Sequence, residues 1–435
     1  MDPKEGVIKR PGSLSNAENA STVEGFQVEY VDPNVTHFKK EMGWFSILAA
    51  GFDSLATWVT FPSTLLVSFV YGGPYCTIWG LIATGVIFLP IAITICELVA
   101  VYPTVGGQYH WSAILAPRKY HREIVSLNPS VSQLVFTAPP NSEAQQSYAC
   151  GYLSWFSWIA LTAAGAGGLG NYVVALIKWK NPEYAVQKYQ VFLIYQFGNI
   201  WNFIINAYCS SALPKVYKAG FVFSITSCVT IFIAVLAAQK KKNTSSFVWT
   251  DVNNITGWAD GLQFIIALSG PTVMFCAIDG AVHLVEDTKR PAKVIPRTIL
   301  VSLILSFTIA IGFSLAMLYC ISDFEAALAS PTGFPIFEIW RQAMGSDAWA
   351  VTFIVFLLIM VPVSVLPLVQ IVSRMTWSLA NDKGLLFSSY LSQVSERHKT
   401  PIPALAFNTT LVFLIGCLYL ISNTGGPRDK KLPPF

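Results

Sequence analysis

Residues Gly270 to Arg297 read GPTVMFCAIDGAVHLVEDTKRPAKVIPR. The stretch begins inside an apolar run and places Asp279-Gly280 at its middle. It leaves through Glu286-Asp287 and the basic Lys289-Arg290-Pro291. Helix breakers (Gly270, Pro271, Gly280) and an acid at membrane depth predict an interrupted transmembrane helix. Unpaired carbonyls and amides are tolerated there only where they face protein or a water-filled cavity. Interrupted helices of this kind hold small solutes at mid-membrane.

The rest of the chain supports a membrane setting. Of 435 residues 53% are hydrophobic and 12% charged, and the mean hydropathy is +0.52. Soluble domains carry about 25% charged residues, so a chain with half that must place most of its surface in lipid. The formal charge of +4 is small, and the basic residues fall in short clusters between apolar runs. That pattern excludes a nucleic-acid footprint. The cysteines are scattered, without C-x-x-C or Cys/His spacing, which supports neither a metal site nor a disulfide framework. No cofactor is expected.

Window length predicts about nine membrane helices, near 44–70, 75–100, 150–177, 190–210, 219–238, 259–283, 298–320, 348–373 and 403–422. Residues 1–43 read as a disordered cytoplasmic tail and 423–435 as a polar tail, flanking a transmembrane domain over 44–422. Residues 123–147, rich in Pro, Ser and Gln, read as a disordered insertion. Gly72-Gly73-Pro74 predicts a tight turn. Small residues between Ala163 and Gly170 predict a helix central to the bundle, because they let backbones approach. Lys and Arg concentrate on one side, including Lys215, Lys218, Lys289, Arg290 and Arg374, which places the amino terminus in the cytoplasm. The first span carries an interruption of its own at Asp53-Ser54-Leu55-Ala56-Thr57-Trp58, followed by Pro62. Paired interruptions in two halves of a chain point to a binding site.

Three sets of residues now become recognisable. They are Thr57-Trp58 with Gly72-Gly73-Pro74; Glu97 with Tyr102-Pro103-x-x-Gly106-Gly107-Gln108-Tyr109-His110-Trp111; and Asp279-Gly280-Ala281-x-His283-x-x-Glu286-Asp287-x-x-Arg290-Pro291. With them the chain resembles fungal amino-acid permeases of the amino acid–polyamine–organocation superfamily, in the branch of GABA and choline permeases. The resemblance implies an all-α polytopic membrane protein with a five-plus-five inverted repeat, helices one and six being broken around the substrate. Family members run to about twelve helices, so the resemblance also implies that C-terminal helices are missing. The implied activity is secondary active transport of a small amine-bearing solute across the plasma membrane, with a proton as coupling ion.

Carried over position by position, the substrate-binding residues are Ala56, Thr57 and Trp58 on helix one, and Phe275, Cys276, Ala277, Ile278 and Asp279 on helix six. Relatives often have glycine where this chain has Thr57-Trp58 and Ala277. Asp279 reads as substrate-amine contact, proton carrier or structural partner of a neighbouring helix, with a functional role preferred. Asp53, Glu97 and Glu286 read as gating or coupling residues, Glu97 and Glu286 by pairing with loop arginines. Trp58 and Phe275 read either as lids over a cationic amine or as packing aromatics, and His283 as a membrane-interface residue in preference to a proton relay. Among other classes, an enzyme needs a His/Asp metal set or a nucleophile with its base, and the histidines lie too far apart. A channel needs a pore-loop pattern or charged rings. A non-transporting sensor or an inactive truncated permease remains the alternative.

Overall fold

The computed structural model describes residues 42–115, 142–252 and 257–421. The tails expected over 1–41 and 422–435, and the insertion as far as residue 141, lie outside the described residues. Over the described residues the chain is nearly all helical. The first expected span is two helices, α1 (Trp44–Leu55) and α2 (Thr57–Val70), meeting at Ala56. They are followed by α3 (Gly73–Val101) and the short α4 (Gln108–Leu115). Next come α5 (Ser142–Lys180), α6 (Lys188–Tyr208) and α7 (Leu213–Ala238). The sixth expected span opens with α8 (Asp260–Ala267) and α9 (Ser269–Val273). It then abandons the α-helix for turns and a 3-10 segment at Gly280–Leu284. The chain continues through α10 (Pro291–Tyr319), α11 (Pro335–Met344), α12 (Asp347–Asn381) and α13 (Ile402–Ile421).

Among the described residues six helices are long and apolar enough to cross a membrane. Six such helices are the pattern of a multi-pass integral membrane protein. The two interrupted spans are too short in each piece to qualify alone. Helix α6 is long enough but carries a buried line of amides, Gln196, Asn199, Asn202 and Asn206. These amides face α13 and α12. Asn199 Nδ2 donates to the Thr409 carbonyl at 3.1 Å, Gln196 Nε2 to Phe413 at 3.3 Å and Asn206 Nδ2 to Leu366 at 3.3 Å. Bonds of this kind join helices in an apolar medium, where lipid tails offer no alternative partner.

Several boundaries differ from expectation. Helix α5 starts at Ser142, so the last residues of the expected insertion are helical; Ser at the start followed by Glu-Ala-Gln-Gln suits a helix amino end. The expected tail is already pinned at Met42, which is 3% exposed. Its amide donates to the Asp287 carbonyl at 3.1 Å, and its own carbonyl accepts from the Lys289 amide at 3.3 Å. Helix α12 runs on past residue 373 to Asn381, so Arg374 is a buried helical residue and not part of a loop.

Helix α5 is central, as its small residues predict. It packs along α12, and a Cβ added at Gly165 would come within 3.0 Å of Val365 Cγ2. The expected turn forms at Gly72 and Gly73, the latter with φ of 71°. Helix α1 is enclosed by α7, α10 and α12, and the second interruption runs across its side.

Candidate functional site at the two chain breaks

The first break is a single residue. Ala56 adopts a left-handed conformation, φ 43° and ψ 39°, which costs an L-residue with a Cβ about 1–2 kcal/mol. Its carbonyl accepts from the amides of Val59 and Thr60, both at 2.9 Å. The amides of Thr57 and Trp58 open the next helix with no backbone acceptor among the described residues, as the first turn of a helix must. Surrounding helices hold the break in place. Thr57 Oγ1 donates to the Ser306 carbonyl at 3.4 Å, Trp58 Nε1 to Ser224 Oγ at 2.7 Å, and the Tyr172 hydroxyl to the Val59 carbonyl at 2.8 Å.

The second break is long. From Met274 to Asp287 the chain turns through i to i+3 hydrogen bonds, among them Phe275 to Thr272 at 3.1 Å and Val282 to Asp279 at 2.8 Å. Pro271 has no amide to give an α-helical ladder. Gly280 draws the two breaks together. A Cβ there would lie 2.9 Å from Ile371 Cδ1, 3.1 Å from Trp158 and 3.3 Å from Ser54 Oγ, so only glycine fits between α12, α5 and α1.

Each sequence-predicted residue has a definite place. Ala277, Ile278 and Asp279 are buried beside the first break's helix, whereas Cys276 turns outward and does not line the break. It shares the exposed face of Val273, three residues earlier. The two aromatics are not brought together. Trp58 packs on Phe313 at 6.1 Å between ring centres, and Phe275 on Phe88 at 6.0 Å and Phe307 at 6.3 Å. Both are packing aromatics in this conformation.

Asp279 is engaged by two motifs at once. Gln108 Nε2, at the start of α4, donates to Asp279 Oδ2 at 2.5 Å. His283 Nε2 lies 3.4 Å from the same oxygen, and His283 Nδ1 lies 2.6 Å from the Val105 carbonyl. A carbonyl only accepts, so chemistry assigns a hydrogen to Nδ1. Nε2 and the carboxylate oxygen then face one another, and a proton on either makes the contact favourable. His283 is 0% exposed, not an interface residue. Its ring is a ligand of the Tyr102–Trp111 motif, which no helical periodicity reveals. The neighbouring residues of that motif reach elsewhere. Tyr109 and His110 contact Asp382 Oδ2 at 2.8 and 2.9 Å, tying α4 to the end of α12.

An ion pair closes the end of the second break at Asp287, next to Glu286. Arg374 Nε and a terminal guanidinium nitrogen reach Asp287 Oδ2 and Oδ1 at 3.0 and 3.1 Å. Arg374 is 3% exposed, and two-point geometry with a carboxylate is what makes such burial tolerable. Glu97 is exposed and has no ion-pair partner among the described residues; Glu286 is half-buried beside Asp287. A cavity of about 250 Å³ opens at this end, lined by Met42, Tyr208, Asp287, Gln370, Arg374 and Arg397 among others. Asp53, by contrast, is buried at 1% exposure.

Comparison with known proteins places this architecture. Residues 42–426 match the amino acid permease family. The choline transporter of Saccharomyces cerevisiae is 30% identical over 390 residues, 89% of this chain and 65% of that protein. A putative amino acid/polyamine transporter of Macrophomina phaseolina is 26% identical over 382 residues, 87% and 79% of the two chains. A 7-keto 8-aminopelargonic acid transporter of Saccharomyces cerevisiae is 25% identical over 330 residues, 71% and 58%. The chain thus spans somewhat less than two thirds of the yeast choline transporter's length. With a family match running from the residue that anchors α1 to the end of the described helices, the chain belongs to the amino acid permease family.

Proposed function

We propose that this protein is a proton-coupled secondary transporter of a small amine-bearing solute, an amino acid, GABA or an organocation such as choline. The observation that carries the reading is the meeting of the two breaks at Gly280 and Ser54. Around it, the substrate-binding set would be Ala56, Thr57, Trp58, Phe275, Ala277, Ile278 and Asp279, with Cys276 at its outer margin. The amides of Thr57 and Trp58, without a backbone acceptor among the described residues, suit a carboxylate, helped by the positive end of α2. Asp279 would receive the amine by exchanging its Gln108 or His283 contact for the solute.

The two breaks would be counterparts in a five-plus-five inverted repeat. An interrupted span followed by continuous helices occurs twice in the chain order, which supports that arrangement. The end that holds Met42, Asp287 and Arg374 also gathers Lys215, Lys289, Arg290, Arg397 and Lys399. A basic end of this kind favours the cytoplasm, and the plasma membrane is the membrane we assign. Asp287–Arg374, with Glu286 adjacent in sequence and Glu97 near the end of α3, would form the inner gate, opening as the pair separates.

Expression of the full chain in yeast lacking its own choline and amino-acid permeases tests this reading. Radiolabelled choline, GABA and a panel of amino acids would be supplied separately. Saturable uptake of one class, abolished by Asp279→Ala, is expected. Uptake no different from cells without the protein, for every solute, would overturn the reading.

A further inference from the structure

Asp53, expected from the sequence to serve gating or coupling, is a buried acid outside the solute-binding set. Neither of its carboxylate oxygens has a hydrogen-bond partner among the described residues, and it lies within α1 just before the break at Ala56. An ionised carboxylate is not tolerated in that condition, so the group takes up a proton or another cation. The surroundings decide which. On α7 a Cβ added at Gly220 would come 2.9 Å from Asp53 Oδ2 and 2.5 Å from Val363 Cγ1 of α12. The carboxyl is thus packed against helix backbone, and there is no room for an ammonium-bearing solute.

A polar file leads to it. Tyr217 lies three residues before Gly220, on the same face of α7, and within electrostatic reach of both Asp53 and Asp287. Its hydroxyl donates to Gln370 Oε1 at 2.6 Å, and Gln370 Nε2 donates to Asp287 Oδ2 at 3.2 Å. Asp287, Gln370 and Arg374 line the cavity of about 250 Å³. Other charged groups packed against α1 are committed. Arg374 of α12 pairs with Asp287, and His283 of the 3-10 segment with Val105 and Asp279. Helix α10 presents Thr298 and Ser302 to Gly51, neither of which titrates in this range.

We infer that Asp53 is a proton-binding site, reached from the cavity along Asp287, Gln370 and Tyr217, and that it holds the coupling proton of the transport cycle. On loading, the carboxylate takes a proton from hydronium, one O–H bond forming as water leaves; release reverses the step. The naming of a coupling proton rests on the transport reading, but protonation of Asp53 does not.

Infrared difference spectroscopy on the purified full chain in lipid separates the two. At about pH 8, far above the ordinary aspartate range near 3.9, the protein is expected to show a protonated-carboxyl band. Asp53→Asn, which has nearly the shape of the protonated acid, removes that band, and Asp279→Asn leaves it. Gly220→Ala keeps the carboxyl but presses a methyl on it, so the band persists and moves. A band absent from the wild type, retained in Asp53→Asn, or unmoved in Gly220→Ala overturns the inference; so does its loss on adding sodium at constant pH, which makes the site a sodium site. In proteoliposomes an imposed pH gradient should raise solute accumulation at least ~10-fold in wild type, about 1.4 kcal/mol by the usual conversion, and have no effect in Asp53→Asn. Gradient-driven accumulation that survives in Asp53→Asn overturns the coupling role. Failure of the wild type to accumulate any solute defeats the transport reading and with it the coupling role, while the band still decides the protonation.

Discussion

The two breaks solve the same problem in opposite ways. The first confines its irregular backbone to Ala56 and leaves its acid, Asp53, without a hydrogen bond among the described residues. The second spreads over Met274 to Asp287 and surrounds its acids with polar partners: Gln108 and the His283 ring at Asp279, Gln370 and Arg374 at Asp287. The difference teaches that burial alone does not assign an acid's role. A carboxylate with matched partners keeps its place until a competing group displaces one of them, and one without them sheds its charge by taking up a small cation.

The sharpest way to break the comparison is to strip a donor from the second region and compare it with the first. Arg374→Ala leaves Asp287 buried without its counter-charge, and loss of one partner of a buried pair costs about 3–5 kcal/mol. Asp53→Asn removes no hydrogen bond, and we expect it to change stability by less than ~1 kcal/mol. Unfolding in mixed micelles measures both, and equal losses would erase the contrast. Next in size, Gln108→Ala deprives Asp279 of its shorter hydrogen bond, for which about 1–3 kcal/mol is expected. The accompanying sign is release of α4, read as faster hydrogen exchange there. Gly280→Ala tests the contact between the breaks: a methyl too close to Ile371 and Trp158 overpacks the site by about 1–3 kcal/mol, and solute affinity should fall with stability. The smallest effect is expected of Ala56→Gly. Relief of about 1–2 kcal/mol of left-handed strain is offset by about 0.5–1 kcal/mol of glycine entropy. The net gain is therefore at most ~1 kcal/mol. A loss of stability there would show that the Ala56 methyl packs usefully.

How much of this was legible follows the same division. Gly270, Pro271 and Gly280 are strong local breakers, so the second break could be read from the chain itself. The first carries no glycine at its left-handed residue; only the acid, the following Pro62 and the family resemblance marked it. What escaped the sequence are pairings between distant segments. Ser373-Arg374 reads as the edge of a loop because the carboxylate that neutralises the guanidinium is at Asp287. His283 reads as an interface residue because its partners are a backbone carbonyl at Val105 and the side chain one turn away. Met42 reads as tail because the bonds that fix it belong to Asp287 and Lys289. Helix α6 forms within a few residues of the expected 190–210, yet its buried amides give no hint in the sequence of the carbonyls that receive them.

The central claim is that a solute sits where the two breaks meet, and substrate protection of engineered cysteines tests it most directly. On a background cleared of native cysteines, Ile278→Cys places a thiol beside the meeting point and Val273→Cys places one on the outward face. Labelling by a membrane-permeant maleimide is followed with and without the solute found by uptake. The account predicts that the solute slows labelling at position 278 and leaves position 273 unchanged. Equal rates at position 278 with and without solute, or equal protection at both positions, would contradict it.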